Sequence, residues 1–426
     1  MTLRPDTYID RLADETIQEA LKVFGAVLIE GPKWCGKTWS ALNQAESMFA
    51  VADPANGFAN KRLAQTDPAV ALEGARPRVI DEWQEVPQLW DAARFVLDQA
   101  VAKGQFIFTG SASPAPSSTM HSGAGRFGRV RLWPMSLAES GDSDAAISLR
   151  AILDGADIKP TPGRITLPRL TELVARGGWP DALGFTPTQG QVLARSYLDT
   201  IANTDMTSVD GVRRDPRRTI ALLASLARNT ATTVSDVTVR RDIAQFGPAE
   251  LSPMTLRSYL DVLERLFVLV SVPAWTPGTR SRTRLRVAPK RLLVDPSLAA
   301  AALGASPTVL TEDLNTIGLL FESLCLRDLS VYCTVAGASL FHYRDDAGLE
   351  ADAIIIRRDG SWAAVEIMLG ANQVDSAAQN LIALSRKLGE GGERPPSGLI
   401  VVTGVGGVAQ RRADGVCVVP VDRLGP

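Results

Sequence analysis

The stretch Gly31-Pro-Lys-Trp-Cys-Gly36-Lys37-Thr38 constrains this chain more than any other. It fits G-x-x-x-x-G-K-[ST], directly follows the apolar run AVLIE and precedes the helix-compatible run TWSALNQAE. Strand, loop and helix in that order make a phosphate loop. The glycines let the backbone bend until several N–H groups point at phosphate oxygens. The helix behind the loop begins with free N–H groups and the positive end of a dipole. Lys37 is expected to reach the β- and γ-phosphates, and the Thr38 hydroxyl to ligate Mg²⁺. The expected nucleotide contacts are Gly31, Pro32, Lys33, Trp34, Cys35, Gly36, Lys37, Thr38 and Trp39. A chance Gly-rich turn beside a lysine does not account for the order of the elements. Cys35 occupies a variable position of the loop and reads as a small loop residue rather than a reactive thiol.

Some forty residues later the chain reads Arg78-Val-Ile-Asp81-Glu82-Trp-Gln84, an apolar strand ending in two acids. Acids at the carboxyl end of such a strand face the ligand side of an open α/β sheet. Asp81 is the expected metal residue and Glu82 the residue that polarises the attacking water. The next strand, Phe106-Ile-Phe-Thr109-Gly110-Ser111, ends in hydroxyls, and Ser111 joins the nucleotide contacts. Gly125-Arg126-Phe-Gly128-Arg129 supplies arginines before the last strand of the domain. Arg126 is the expected charge-stabilising residue, acting within the chain or from a neighbouring subunit. Action in trans would require a dimer or ring, so a homo-oligomer is expected.

Strand-like runs at 26–30, 49–53, 78–81, 106–109 and 129–133 alternate with helical patterns, as in a parallel sheet with crossover helices. Residues 140–165 are polar and punctuated by Gly and Pro, and read as a linker. The pattern from Leu167 to Val272 is helical, with Leu256, Leu260, Leu263 and Phe267 on one face. Beyond it follow a helix near 313–330, a hairpin at 349–370, a helix near 374–388 and strands near 399–403 and 416–421. Three domains are expected: 1–160, 161–290 and 291–426. Charged residues make up 22% of the chain and the formal net charge is −2, so nucleic-acid contact would require a local basic patch. Four unpaired cysteines and two histidines argue against a Cys/His zinc site. The sparse cysteines, the acid-bearing N-terminus and the lack of any run near ~18 apolar residues suit a cytoplasmic protein.

With these motifs in order, the sequence resembles the prokaryotic AAA-type P-loop ATPases whose C-terminal domain, of uncharacterised function, includes a restriction-endonuclease-like fold. The carriers are GPKWCGKT (31–38), VIDEWQ (79–84), FTGSAS (108–113), GRFGRVRLWPMSLAE (125–139), ARGGWPDAL (175–183), PKRLLVDPSLAA (289–300), GLLFESL (318–324) and the hairpin. The resemblance implies an α/β chain with an N-terminal parallel-sheet P-loop domain, a helical, winged-helix-like middle and a C-terminal α/β nuclease-like domain. A helix at 237–244 before the 256–267 helix suits a helix-turn-helix. Arg280, Arg282, Arg284, Arg286, Lys290 and Arg291 form the patch expected to track a DNA backbone; a solubilised hairpin is the competing reading.

In a restriction-endonuclease-like fold a hairpin presents an acid on one strand and E-x-K on the next, and a helix adds a Glu. Asp352, Glu366 and Glu322 match those positions, but Met368 stands where the lysine belongs. A thioether is too soft for Mg²⁺ and holds no proton to exchange. Three readings stay open: a nuclease shape without cleavage, which is favoured; a migrated cation from Arg344 or Lys387; or acids that are only structural. The chain is thus expected to bind and hydrolyse Mg·ATP, coupled to movement of a nuclease-like, DNA-binding module. The alternative is a nucleotide-gated switch that recruits a protein partner in stress or defence, without motor work.

Overall fold

The apolar run before the phosphate loop is a buried strand, β1 (Ala26–Glu30). The computed structural model describes residues 3–99, 102–112, 123–246, 251–277 and 288–426. Four further strands share a sheet with β1: β2 (Ser47–Ala50), β3 (Arg78–Asp81), β4 (Phe106–Gly110) and β5 (Phe127–Arg131). Their order is β2-β3-β4-β1-β5, and every pairing is parallel. Alternate residues serve opposite faces, as the pleat requires. Leu28, Ile80, Phe106 and Phe108 pack with Phe49, Trp83 and Trp90 on one side. Val27, Ile29, Val79 and Ile107 pack with Ile17 of the helix Ala13–Val23 on the other. With both faces covered, the central strands β1 and β4 read as nearly continuous apolar runs. The strands expected at 49–53 and 129–133 each begin two residues earlier, and their Phe49 and Phe127 fill the core, Phe127 stacking on Trp90 at 3.7 Å.

The described residues cluster into two compact units. The parallel sheet belongs to Met1–Pro134, which takes in Thr204–Arg213 and Asp261–Val268. The other unit comprises Met135–Asn203, Arg214–Leu260 and Leu269–Pro426. Five of its helices share a start signal. Thr166, Thr186, Asp215, Asp295 and Ser306 each cap a helix with the side chain, and proline follows at the first or second helical position.

Residues 140–165, expected as a linker, carry structure. They hold β6 (Ile147–Ser148), the helix Leu149–Leu153 and β7 (Thr161–Pro162). Two-residue strands leave no periodic signal in a sequence. The remaining strands among the described residues are β8 (Leu269–Val272), β9 (Lys290–Leu293), β10 (Ala338–Arg344), β11 (Glu350–Arg357), β12 (Trp362–Gly370), β13 (Gly398–Val405), β14 (Val408–Arg411), β15 (Cys417–Pro420) and β16 (Leu424–Gly425). A seven-stranded mixed sheet runs β10-β11-β12-β13-β15-β14-β7. The hairpin expected at 349–370 is β11–β12, turning at Arg358-Asp359-Gly360 with Gly360 at φ 81°. The helices Leu314–Val335 and Val374–Glu390 flank it in the chain.

One buried network gathers distant segments of this unit. The Arg327 guanidinium, 2% exposed, donates to Asp295 at 2.8 Å and to Asp328 at 2.6 and 2.8 Å. Asp295 also accepts from the Gly178 N–H, and Asp328 from the Leu137 N–H, each at 3.0 Å. The Met135 N–H donates to the Gly178 carbonyl, and Trp179 Nε1 to Ser297 Oγ. Any side chain at 178 would collide with the Met135 carbonyl, 2.1 Å from its Cβ, so only glycine fits. Burial opposes the charge on Arg327, but the carboxylates of Asp328 and Asp295 outweigh it and hold its pKa above the ordinary arginine value. Asp295→Ala leaves this cation short of one carboxylate. Removing one partner of a buried pair costs about 3–5 kcal/mol, so the variant is expected to melt well below the parent in calorimetry. An unchanged melting temperature would refute the role given to this pair.

Candidate functional site

The phosphate loop leaves β1 through Gly31, whose Cα lies so close to β5's continuation that a Cβ would sit 2.2 Å from the Leu132 carbonyl. Gly36 closes the loop at φ 96°, a left-handed conformation natural to glycine, and the helix Lys37–Leu42 begins behind it. Trp34 adopts φ 65°, a position that costs a non-glycine residue strain. Cys35 is fully buried, with Sγ 3.6 Å from the Leu132 carbonyl, so its place in the loop is one of packing. Arg11 braces the loop from outside: one guanidinium nitrogen donates to the Cys35 carbonyl and another to the Trp133 carbonyl, both at 2.8 Å. Lys37 is buried and donates across the loop to the Pro32 carbonyl at 2.7 Å. Lys33 forms a 2.6 Å ion pair with buried Asp205. Trp39 is 44% exposed on the first turn of the helix.

Of the two acids, Asp81 ends β3 beside the loop and Glu82 follows it. Asp81 Oδ1 accepts from the Thr38 hydroxyl at 2.8 Å and from the Thr109 hydroxyl at 2.5 Å. The ends of β3 and β4 and the first turn of the helix Lys37–Leu42 thereby converge on one carboxylate oxygen. Glu82 follows at φ 54°, left-handed, and its Oε2 accepts from Gln84 Nε2 and, at 3.3 Å, from the Ser111 hydroxyl. A hydroxyl and a carboxylate side by side are the hard oxygen donors Mg²⁺ prefers, so Thr38 and Asp81 fit such an ion. Gln84 was visible two places after Glu82; nothing local marks Arg11.

Arg126 requires a correction. Its backbone carbonyl accepts from the Ala26 N–H, at the start of β1, whereas the loop leaves the end of that strand. Its guanidinium pairs with Asp98 at 2.8 Å. A strand's length separates it from Lys37, so a role on the γ-phosphate within its own chain does not fit.

The hairpin acids form a second cluster, in the other unit. Asp352, Glu366 and helix residue Glu322 line a cavity of about 680 Å³ together with Met368. The cation of this cluster is Lys290, on β9. Its Nζ donates to Glu322 Oε1 at 2.6 Å and to Asp352 Oδ1 at 2.9 Å. Arg344 and Lys387, the sources named for a migrated cation, point elsewhere: Arg344 lies 3.6 Å from Glu350 and Lys387 pairs with Asp345 at 2.6 Å. Lys290 is 8% exposed, so it is no part of a solvent-facing basic strip. Arg291 pairs with Asp236 at 2.7 Å. Arg280, Arg282, Arg284 and Arg286 lie outside the described residues. Asp352 Oδ2 accepts from the Ile367 N–H, and Glu366 Oε1 from Asn380 Nδ2 at 2.5 Å.

Burial, then the charge of Asp352, pushes the carboxyls of Glu322 and Glu366 up to about 8 and about 9. Burial opposes the charge on Lys290, but Asp352 and Glu322 hold its pKa above the ordinary lysine value. A carboxyl raised in the folded state binds protons that the unfolded chain has already released. Its contribution is full below the unfolded value of about 4.5 and is lost as pH rises through about 9. Stability should therefore fall between pH 5 and 9, and Glu366→Gln, which cannot titrate, should flatten that fall. Denaturant midpoints across this range check it; parallel curves for parent and variant would contradict the assignment.

Residues 24–141 match the family described as AAA domain, 167–309 a domain of unknown function (DUF8612) and 317–424 another (DUF4143). An uncharacterized protein of Mycobacterium tuberculosis and one of Mycobacterium bovis are each 26% identical over 349 residues, which is 81% of this chain and 70% of theirs. Among solved structures, a Walker-type ATPase of Pyrococcus abyssi overlays with TM-score 0.41 at 14% identity, covering 71% of this chain and 97% of that one. The ORC2 protein of Aeropyrum pernix overlays at 0.31 and 13%, covering 73% and 97%. At that overlap neither fixes the fold of the whole chain. The N-terminal sheet with its phosphate loop is an AAA-type P-loop domain. Among the described residues no helix is long and apolar enough to cross a membrane.

Proposed function

We propose that the N-terminal unit binds Mg·ATP on the loop Gly31–Gly36 and hydrolyses it. The observation that carries this reading is the convergence of Thr38 and Thr109 on Asp81, beside a left-handed Glu82. Lys37 exchanges the Pro32 carbonyl for phosphate oxygens, a stronger, charge-assisted partner. Thr38 and Asp81 hold the metal ion, which when bound neutralises charge on the phosphates. Glu82 takes the proton of the attacking water while that water's oxygen bonds the γ-phosphorus and the bridging bond to ADP breaks. Ser111 keeps the Glu82 carboxylate in place. Lys37→Ala should weaken nucleotide affinity by roughly tenfold to a hundredfold, from the ~1.5–3 kcal/mol of a charged hydrogen bond. Glu82→Gln should retain ATP and lose about 10²–10⁴ in turnover. Titration with a fluorescent nucleotide and phosphate-release kinetics read the two; unchanged affinity in the first variant would reject the site.

A second reading concerns the C-terminal module, which we infer to be nuclease-shaped and not cutting. The chain order helix Leu314–Val335, β10, β11, β12, helix Val374–Glu390, β13 supports it, with two antiparallel pairings followed by a parallel one. So does the meeting of Glu322, Asp352 and Glu366, whose central place is filled by an ammonium. The helices Asp236–Phe246 and Pro253–Arg265 followed by the β8–β9 ladder support a winged-helix-like unit that contacts DNA. Supercoiled and branched DNA should survive incubation with Mg²⁺ or Mn²⁺; cleavage abolished by Asp352→Ala would overturn the inactive reading. DNA should accelerate ATP turnover at low salt and lose that effect at high salt. Turnover indifferent to DNA would favour the nucleotide-gated switch that recruits a protein partner.

A further inference from the structure

We propose that Gln84 is the positioning residue of the water-activating glutamate, resting on the ATPase reading above. The 3₁₀ turn Trp83–Glu85 follows directly on the left-handed Glu82. As a result the Gln84 carboxamide lies against the carboxylate two residues before it. Nε2 donates to Glu82 Oε2, the oxygen that also accepts from Ser111. Two donors on one oxygen leave Oε1 of Glu82 without a donor among the described residues.

The other end of the carboxamide shows that this contact is not incidental. Gln84 Oε1 is buried and accepts no hydrogen bond among the described residues. A glutamine serving only its own packing would turn to satisfy both ends, since a buried acceptor without a partner is costly. Flipping the amide would set Oε1 against a carboxylate oxygen, two acceptors face to face. The carboxylate thus fixes the amide's orientation, and the amide in turn fixes the carboxylate. The neighbouring strand makes room for it. A Cβ on Gly110 would lie 2.8 Å from Gln84 Oε1 and 3.2 Å from Trp83 Nε1, so any larger residue at the end of β4 would push the carboxamide off Glu82. Asp81 is held differently, by the hydroxyls of Thr38 and Thr109. The two adjacent acids therefore have separate sets of donors, and Gln84 acts on the second alone.

Gln84→Glu tests this. It keeps the size of the side chain but places a carboxylate where the N–H donor was. Gln84→Ala removes both donor and bulk. Both variants should lower kcat at least tenfold while KM and the affinity for a fluorescent ADP analogue stay within twofold of the parent. Gly110→Ala should lower kcat in the same way with Gln84 intact. A parent chain that binds nucleotide but shows no turnover would sink the ATPase reading itself. A parent that turns over beside a Gln84→Glu variant of equal kcat would sink the role of Gln84 and leave that reading standing. A loss of nucleotide affinity matching the loss of kcat would also overturn it, because the glutamine would then be shaping the loop and not the glutamate. Melting curves of all three variants accompany the kinetics, and Gln84→Glu alone decides if Gln84→Ala fails to fold.

Discussion

The larger unit depends on one buried cation. Arg327 sits at 2% exposure in the middle of the helix Leu314–Val335, with a carboxylate on its own helix and another on the segment after β9. A charge in that position is tolerable only if nearly every hydrogen bond is made. The carboxylates are in turn satisfied by backbone N–H groups of Leu137 and Gly178, which belong to segments far away in the chain. Each requirement therefore propagates. Gly178 must be glycine because the Met135 carbonyl closes over it, and Trp179 must lie where Ser297 receives its indole N–H. Hydrophobic packing tolerates exchange of similar shapes. A network of directed bonds does not, so the network sets which segments come together and in what register.

This explains short motifs that carried little meaning as sequence. Met135 to Leu137, Gly177-Gly178-Trp179, Asp295-Pro-Ser297 and Arg327-Asp328 each look like an ordinary turn or helix end when read alone. Their content is their mutual contact. By contrast the phosphate loop was legible because everything it needs is consecutive: an apolar strand, two glycines at fixed spacing, then Lys37 and Thr38. The parallel sheet was legible for a related reason. Its central strands β1 and β4 are buried on both faces and so appear as nearly unbroken apolar runs. The stretch 140–165 was not, since its strands are two residues long and take their identity from the partners they pair with, β16 and β14.

Lys290 marks the same limit most sharply. In the sequence it belongs to a run of basic residues, and that company suggested a solvent-facing patch. In the fold it is the inward end of β9, 32 residues from Glu322 and 62 from Asp352, and it meets both. Charge along a sequence reports composition, whereas the direction of a side chain on a strand alternates with every residue. Lys290 turns inward to the acids while its neighbour Arg291 pairs with Asp236. The position two after Glu366 was the local place to look for a cation. Met368 there packs against the apolar cluster beneath the sheet, and the sheet gains its cation from outside the hairpin.

Among the described residues, the carboxylates of the Asp81–Glu82 pair and of the Glu322–Asp352–Glu366 cluster keep different partners. Asp81 and Glu82 are held by neutral donors: two hydroxyls for one, a carboxamide and a hydroxyl for the other. Neutral donors orient a carboxylate without cancelling its charge, so it stays able to bind a metal ion or take a proton. Asp352 and Glu322 share an ammonium instead. A divalent ion entering there would have to displace a cation that is tethered, buried and held at 2.6 and 2.9 Å, and the displaced lysine would have to leave a site in which burial already disfavours isolated charge. The same residue types thus serve opposite ends in one chain. At one site the donors leave the carboxylate charge available, and at the other the donor neutralises it.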